Sequence, residues 1–100
     1  MTTLQYAVLW FRDVAEYCDG LTTGNVSHNG GMIRGLARNA AFYVKTSAQP
    51  LADDLNTKAI GWFEDIADLC QRLTSGNVSH MAATIKGKAI RAAEYIEKRL

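Results

Sequence analysis

The segment Leu21-Thr22-Thr23-Gly24-Asn25-Val26-Ser27-His28 returns 52 residues later as Leu73-Thr74-Ser75-Gly76-Asn77-Val78-Ser79-His80. The match extends in both directions: when residues 7–46 are laid over residues 59–98 without a gap, nineteen of the forty positions are identical. Such agreement over a fixed period indicates one supersecondary unit duplicated in tandem. We therefore expect two similar halves related by pseudo-two-fold symmetry within one molecule.

Apolar residues on either side of the repeated segment recur at steps of three and four, which is typical of amphipathic helices. Helices one and three are predicted by Leu4, Ala7, Val8, Phe11, Val14, Ala15, Cys18 and Leu21, and by Leu55, Ala59, Ile60, Phe63, Ile66, Ala67, Cys70 and Leu73. Helices two and four are predicted by Val26, Ile33, Ala37, Ala40 and Val44, and by Val78, Ala82, Ile85, Ala89, Ala92, Ile96 and Leu100. The run Asn29-Gly30-Gly31 is poor helix-forming sequence, so we expect helix two to start late or after a loop.

The repeated segment itself predicts the turn between the two helices of each half. Gly24 and Gly76 can take the left-handed conformation that ends a helix. The next helix follows at once, with Asn25 and Asn77, or Ser27 and Ser79, as N-cap candidates.

Each half is thus predicted to be an αα-hairpin that cannot bury its apolar face alone. Packing the two hairpins together gives an all-α four-helix bundle in a single domain over residues 1–100. Repeat 1 covers residues 1–46, a linker covers 47–50, and repeat 2 covers 51–100, with Pro50 suited to the first turn of helix three. We expect the aromatic residues of helices one and three to pack in the core against the small residues of helices two and four.

Composition narrows the classes of protein that the chain can represent. With 100 residues, 48% of them hydrophobic, the chain can build one continuous core but has little spare volume for a deep active site. We expect neither a membrane span nor a secretory signal, and hence a cytoplasmic protein. Cys18 and Cys70 occupy apolar helix positions, so we expect reduced core thiols and no disulfide.

The charges are unevenly divided although they sum to only +1. Residues 1–24 and 47–76 are net acidic, whereas residues 25–46 and 77–100 are net basic. One interpretation is electrostatic complementarity between neighbouring helices of the bundle, each surface pair contributing up to about 1 kcal/mol. The other is an acidic surface that binds a basic groove on a partner.

Patterns that could carry catalysis or metal binding fit poorly. Cys18, His28, Cys70 and His80 include the residue types of a Cys2His2 zinc site, but their spacing does not match one. Ser27 and His28 are adjacent on a helix and so do not face each other as a catalytic pair. We predict a protein that is not an enzyme and that uses no metal or cofactor.

The whole chain resembles a type I-F anti-CRISPR protein: it is small, all-helical, without a catalytic signature, and it carries the Leu-Thr-(Thr/Ser)-Gly-Asn-Val-Ser-His segment twice. The resemblance implies a phage-encoded inhibitor in the host bacterial cytoplasm that binds the crRNA-guided surveillance complex and blocks its binding of target DNA. Carboxylates would occupy the lysines and arginines that hold DNA phosphates. The candidate partner-binding residues are Glu16, Asp19, Asp53, Asp54, Glu64 and Asp68.

Two alternatives from other classes remain. A small nucleic-acid-binding or regulatory helical protein would use the basic faces of helices two and four, through Arg34, Arg38, Lys45, Lys86, Lys88 and Arg91. The net charge of +1 argues against it, because such domains are normally strongly basic. A metal-dependent or carboxylate-based hydrolase would need carboxylates on a second helix, where only Glu94 and Glu97 are available.

Overall fold

The structure is a computed structural model that describes residues 1–47 and 54–100. It contains four α-helices, α1 (Thr3–Asp19), α2 (Val26–Ser47), α3 (Asp54–Gln71) and α4 (Val78–Glu97). Thr2 and Gln5 form a capping box at the start of α1, which satisfies free backbone amides of the first turn. The described residues contain no strand, so the predicted all-α class is confirmed.

The four helices form the predicted four-helix bundle. The most extensive packing joins the two halves of the chain, α1 against α4 and α2 against α3, while contacts within each half are fewer. Buried alanines on α2 and α4, such as Ala37, Ala40, Ala89 and Ala92, allow these close approaches. Going round the bundle, α1 and α3 lie diagonally opposite each other, and the molecule measures 42 × 23 × 18 Å.

Two phenylalanines at equivalent positions of the repeat form the centre of the core. Phe11 and Phe63 are fully buried, and their rings stack with centroids 3.8 Å apart and an interplanar angle of 2°. The fully buried side chains around them are Val14, Ile33, Val44, Ile66, Ile85 and Ile96. The prediction that all aromatic residues of helices one and three lie in the core is wrong for Tyr6 and Tyr17, which are more than a third exposed.

The turn between the helices of each half differs from the prediction. No described residue has a positive φ, so Gly24 and Gly76 are not left-handed caps. Instead, the Thr22 amide donates to Asn25 Oδ1 at 2.8 Å, the Asn25 amide donates to Thr22 Oγ1 at 3.2 Å, and Asn25 Nδ2 donates to the Gly20 carbonyl at 2.9 Å.

The second turn is closed in the same way. The Thr74 amide donates to Asn77 Oδ1 at 2.8 Å, the Asn77 amide donates to Thr74 Oγ1 at 3.2 Å, and Asn77 Nδ2 donates to the Arg72 carbonyl at 2.9 Å. Asn77 directly precedes α4, but its side chain makes no capping hydrogen bond to that helix. The asparagines therefore close the turn, because their side chains satisfy its backbone groups without a left-handed residue.

Helix α2 begins at Val26 and continues through Asn29-Gly30-Gly31, so the expected late start is wrong. Tertiary packing accounts for the difference, since Gly30 is buried beneath Leu73. A Cβ added at Gly30 would lie only 3.1 Å from Leu73 Cδ1. The missing side chain lets α2 approach the end of α3, which offsets the low helix propensity of glycine.

Replacing Gly31 with alanine is expected to raise the free energy of unfolding by about 1 kcal/mol, because a Cβ there would meet nothing within 4 Å and alanine favours the helix. The equivalent residue of α4 is already Ala83. Urea denaturation measures the change. Gly30→Ala is the matched control and should gain less, because its Cβ must displace Leu73. A lower stability for Gly31→Ala would show that α2 does not begin at Val26.

Residues 48–53 lie outside the described part of the chain, so the placement of Pro50 and of most of the predicted linker is not tested. Ser47, which belongs to the predicted linker, is the last residue of α2. Within residues 1–47 and 54–100, no helix has the length and apolar character needed to cross a bilayer.

Candidate functional site

One side of the bundle, between α1 and α2, exposes large apolar and aromatic side chains. We call it the aromatic face and define it by Tyr6, Trp10, Tyr17, Met32, Leu36 and Tyr43. The residues on each helix are spaced by four and seven, so they share one face of that helix. Tyr6 is 37% exposed, Tyr17 49%, Met32 47% and Tyr43 36%.

Ring contacts hold one end of the aromatic face together. Trp10 stacks on Tyr6 with centroids 5.6 Å apart, and Tyr43 packs edge-on against Trp10 at 5.0 Å and Tyr6 at 5.8 Å. Because α1 and α2 are joined by a short turn and run antiparallel, this alignment brings Tyr17 towards Met32 at the other end. The ring contacts pre-organise the end of the aromatic face formed by Tyr6, Trp10 and Tyr43.

The same positions of the second repeat form a chemically different surface between α3 and α4. We call it the cationic face; the residues equivalent to the aromatic face are Lys58, Trp62, Leu69, Thr84, Lys88 and Tyr95. The Trp62–Tyr95 pair keeps the edge-on packing, with centroids 5.3 Å apart. Lysine replaces Tyr6 and Leu36, so the two repeats share a core but differ on this surface.

Ion pairs join the acidic helices to the basic ones. Lys86 on α4 lies 2.6 Å from Asp19 on α1, Lys45 on α2 lies 3.6 Å from Glu64 on α3, and Lys88 on α4 lies 3.4 Å from Asp65 on α3. Arg12 and Glu97 form a further pair between α1 and α4. These pairs are largely exposed, so each contributes up to about 1 kcal/mol to stability. Together they favour the interpretation that the charge pattern provides electrostatic complementarity between neighbouring helices.

The predicted partner-binding carboxylates that the structure describes lie on the two diagonal helices and do not form one surface. Glu16 and Asp19 are exposed near the end of α1, and Asp54, at the start of α3, pairs with Lys58 at 3.0 Å. Hydrogen bonding to Asp54 raises the pKa of Lys58. Asp53 lies outside the described residues. The binding role of this set stays a prediction.

Glu64 and Asp68 are the predicted carboxylates that the structure brings together. They line an open groove of about 450 Å³ between α2 and α3. Phe42, which is 67% exposed, lies in the same groove beside Arg38 and Lys45. The cations already present make this groove electrostatically mixed, so it is a weaker candidate site than the aromatic face.

The cysteines and histidines considered for zinc binding differ in environment. Cys18 and Cys70 are buried free thiols, whereas His28 and His80 are exposed. Burial, with a smaller effect of nearby Cys70 and Asp19, raises the pKa of Cys18 to about 12, and burial raises the pKa of Cys70 to about 11. In the part of the chain that the structure describes, no three His, Cys, Asp or Glu residues are grouped to hold a metal ion.

Sequence reasoning missed the aromatic face because aromatic residues at helical spacing are most often core residues. A signal was nevertheless available where the two copies disagree. In the aligned repeats, Tyr6, Tyr17 and Met32 correspond to Lys58, Leu69 and Thr84. The fully buried Phe11, in contrast, is repeated as Phe63.

No protein-family model matches this chain, and no curated protein or solved structure matches it either.

Proposed function

We propose that this protein is a non-catalytic inhibitor that binds a protein partner through its aromatic face. The partner is the type I-F crRNA-guided surveillance complex, whose binding of target DNA it blocks in the cytoplasm of a bacterial host. The specific complex follows from the resemblance to type I-F anti-CRISPR proteins, and the mode of binding follows from the surface.

The observation that carries the proposal is the exposure of Tyr6, Tyr17 and Met32 around Trp10 and Tyr43. Tyr, Trp and Met are enriched in protein interfaces, where a few aromatic anchors supply most of the binding free energy. Large contiguous apolar patches on a small protein mark interaction sites. Exposed carboxylates on α1 then steer a basic partner towards this face.

The proposal is tested by measuring how this protein changes the binding of target DNA by the purified surveillance complex. We expect DNA binding to fall as the protein is added. The variant Tyr6→Lys/Met32→Thr takes the residues of the second repeat, so it should fold, and its potency should fall by about a hundredfold or more if both side chains are hot spots.

The control is Lys58→Tyr/Thr84→Met, the opposite exchange at the equivalent positions, which should keep the potency of the wild type. Equal losses in the two variants would contradict binding through the aromatic face. No effect of the wild-type protein on DNA binding would contradict inhibition of this complex.

The cationic face supports a second candidate function, binding of nucleic acid. Lys88, Arg91, Trp62 and Tyr95 line a depression of about 200 Å³, and this combination of cations and rings suits phosphates and stacked bases. Lys88, however, is already paired with Asp65. An electrophoretic shift of nonspecific duplex DNA at low salt that weakens steeply with added salt would favour this function over the first.

A further inference from the structure

The second repeat contains a carboxylate whose charge is balanced by a lysine of the same chain. Asp65 on α3 lies 3.4 Å from Lys88 Nζ on α4. The equivalent pair in the first repeat is Asp13 on α1 and Leu36 on α2. Asp13 is half-buried, and it makes no ion pair with any residue in the described ranges.

A second cation in repeat 2 covers its tyrosine. The guanidinium carbon of Arg99 lies 3.4 Å from the centroid of the Tyr95 ring, and Arg99 Nη1 donates to the Tyr95 carbonyl at 3.0 Å. The equivalent positions in the first repeat are Tyr43 and Ser47. Serine cannot reach over the ring, so Tyr43 lacks the cation that its counterpart carries.

The two repeats therefore share a carboxylate and a tyrosine ring, which are accompanied by cations in repeat 2 (the filled form of the site) but not, among the described residues, in repeat 1 (the open form). In repeat 2, Lys88 and Arg99 neutralise the carboxylate and cover the ring. In repeat 1 the carboxylate and ring are kept but both cations are replaced, by Leu36 and Ser47. An unpaired carboxylate favours a cation through a charge-assisted hydrogen bond, and an uncovered ring favours one through a cation–π contact.

We propose that the aromatic face binds a basic segment of a protein partner, whose lysine or arginine side chains pair with Asp13 and cover the ring of Tyr43, as Lys88 and Arg99 do for Asp65 and Tyr95 in repeat 2. The proposal rests on the proposed function, since it names the chemistry that the aromatic face recognises. Tyr6 and Trp10 pack against Tyr43, and Asp13 lies one helical turn from both Trp10 and Tyr17 on α1.

Charge decides between this occupant and the other two classes. A nucleic acid would bring phosphates close to the Asp13 carboxylate. Because no cation in the described residues pairs with Asp13, the like charges would repel each other. A second copy of this protein carries cations outside the observed ion pairs, such as Arg38 and Arg91, but it also carries ten carboxylates and its net charge is only +1. A basic segment of a different protein supplies the missing charge.

The probe for this proposal is a capped tetra-arginine peptide, compared with a capped tetra-citrulline peptide of nearly the same shape and no charge. Titrations followed by ¹H–¹⁵N NMR should show saturable shifts of the Trp10 indole with the arginine peptide and none with the citrulline peptide. Asp13→Asn should weaken binding at least tenfold. Asp65→Asn, its matched control in the second repeat, should leave the affinity unchanged.

Exchanging the cations between the repeats gives a sharper test. Leu36→Lys/Ser47→Arg should fill the site from within and abolish the Trp10 shifts, while Lys88→Leu/Arg99→Ser should open a second site and move the response to the Trp62 indole as well. The proposal is overturned if both peptides bind equally, if Asp13→Asn and Asp65→Asn weaken binding equally, or if the filled variant still binds.

These outcomes are separate from those of the proposed function. The arginine peptide could fail to bind while Tyr6→Lys/Met32→Thr still loses inhibition of the surveillance complex. That result would support binding through the aromatic face and would reject the lysine or arginine of the partner as its anchor. Concentration-dependent shifts of Trp10 without any peptide would identify a second copy as the occupant and would also reject the anchor.

Discussion

Replacing Phe11 with alanine is expected to lower the free energy of unfolding by about 3–5 kcal/mol. The Phe11 ring is fully buried and stacks on Phe63 in the middle of the bundle, so truncation removes apolar burial and leaves a cavity between diagonal helices. A domain of this size is marginally stable, with about 5–15 kcal/mol in total. The variant should therefore lose a large part of its stability.

Urea denaturation followed by circular dichroism measures this loss. Leu9→Ala on the same helix is the control, since Leu9 is 43% exposed and should cost under about 1 kcal/mol. Phe63→Ala should cost about as much as Phe11→Ala, and the double variant should cost less than the sum because the rings are in contact. A small loss for Phe11→Ala, equal to that for Leu9→Ala, would contradict a core centred on this pair.

Raising the pH above 9 is expected to destabilise the protein through its two thiols. The ordinary pKa of a cysteine is 9.0, and burial raises the pKa of Cys18 to about 12 and that of Cys70 to about 11. Above pH 9 the unfolded chain loses these protons while the folded chain keeps them. Stability therefore falls with pH, by up to about 1.4 kcal/mol per pH unit for each thiol, until the folded pKa is reached.

The measurement is the free energy of unfolding in urea at several pH values between 7 and 11, under reducing conditions. Because lysines and tyrosines also titrate in this window, the control is Cys18→Ala/Cys70→Ala, whose pH profile should be flatter than that of the wild type. Parallel profiles for the two proteins would show that the thiols are not buried in the folded state.

The fold could be predicted because the spacing of apolar residues marks each helix. The pattern of helices one and two occurs again in helices three and four, so each part of the sequence supports the interpretation of the other. The turn could not be predicted in detail, since Gly24 and Asn25 are both compatible with several turn geometries. The reciprocal hydrogen bonds of Thr22 and Asn25 become visible only once the backbone positions are known.

The candidate site was harder to predict from the sequence than the fold. The charge pattern correctly divided the helices by sign, but it could not tell which carboxylates face a cation across the bundle. Asp19 and Glu64 are among the predicted partner contacts, yet each has a lysine partner within the chain. Pairing of this kind depends on which helices are neighbours, and α1 proved to pack more closely on α4 than on α2.

Comparison between the two repeats is the most useful guide to the surface of this protein. Positions that serve the core, such as Phe11 and Phe63, are kept, because both halves need the same packing. Positions that differ, such as Leu36 and Lys88, lie on the surfaces between the two helices of each half. One chain thus provides its own matched control for every substitution in the aromatic face.

Side-chain footprinting of this protein in complex with the purified type I-F surveillance complex tests the central claim most directly. Binding through the aromatic face predicts strong protection of Tyr6 and Tyr17, with Trp62 and Tyr95 labelled as in the free protein. Protection centred on Trp62 and Tyr95, with Tyr6 and Tyr17 unchanged, would contradict the account.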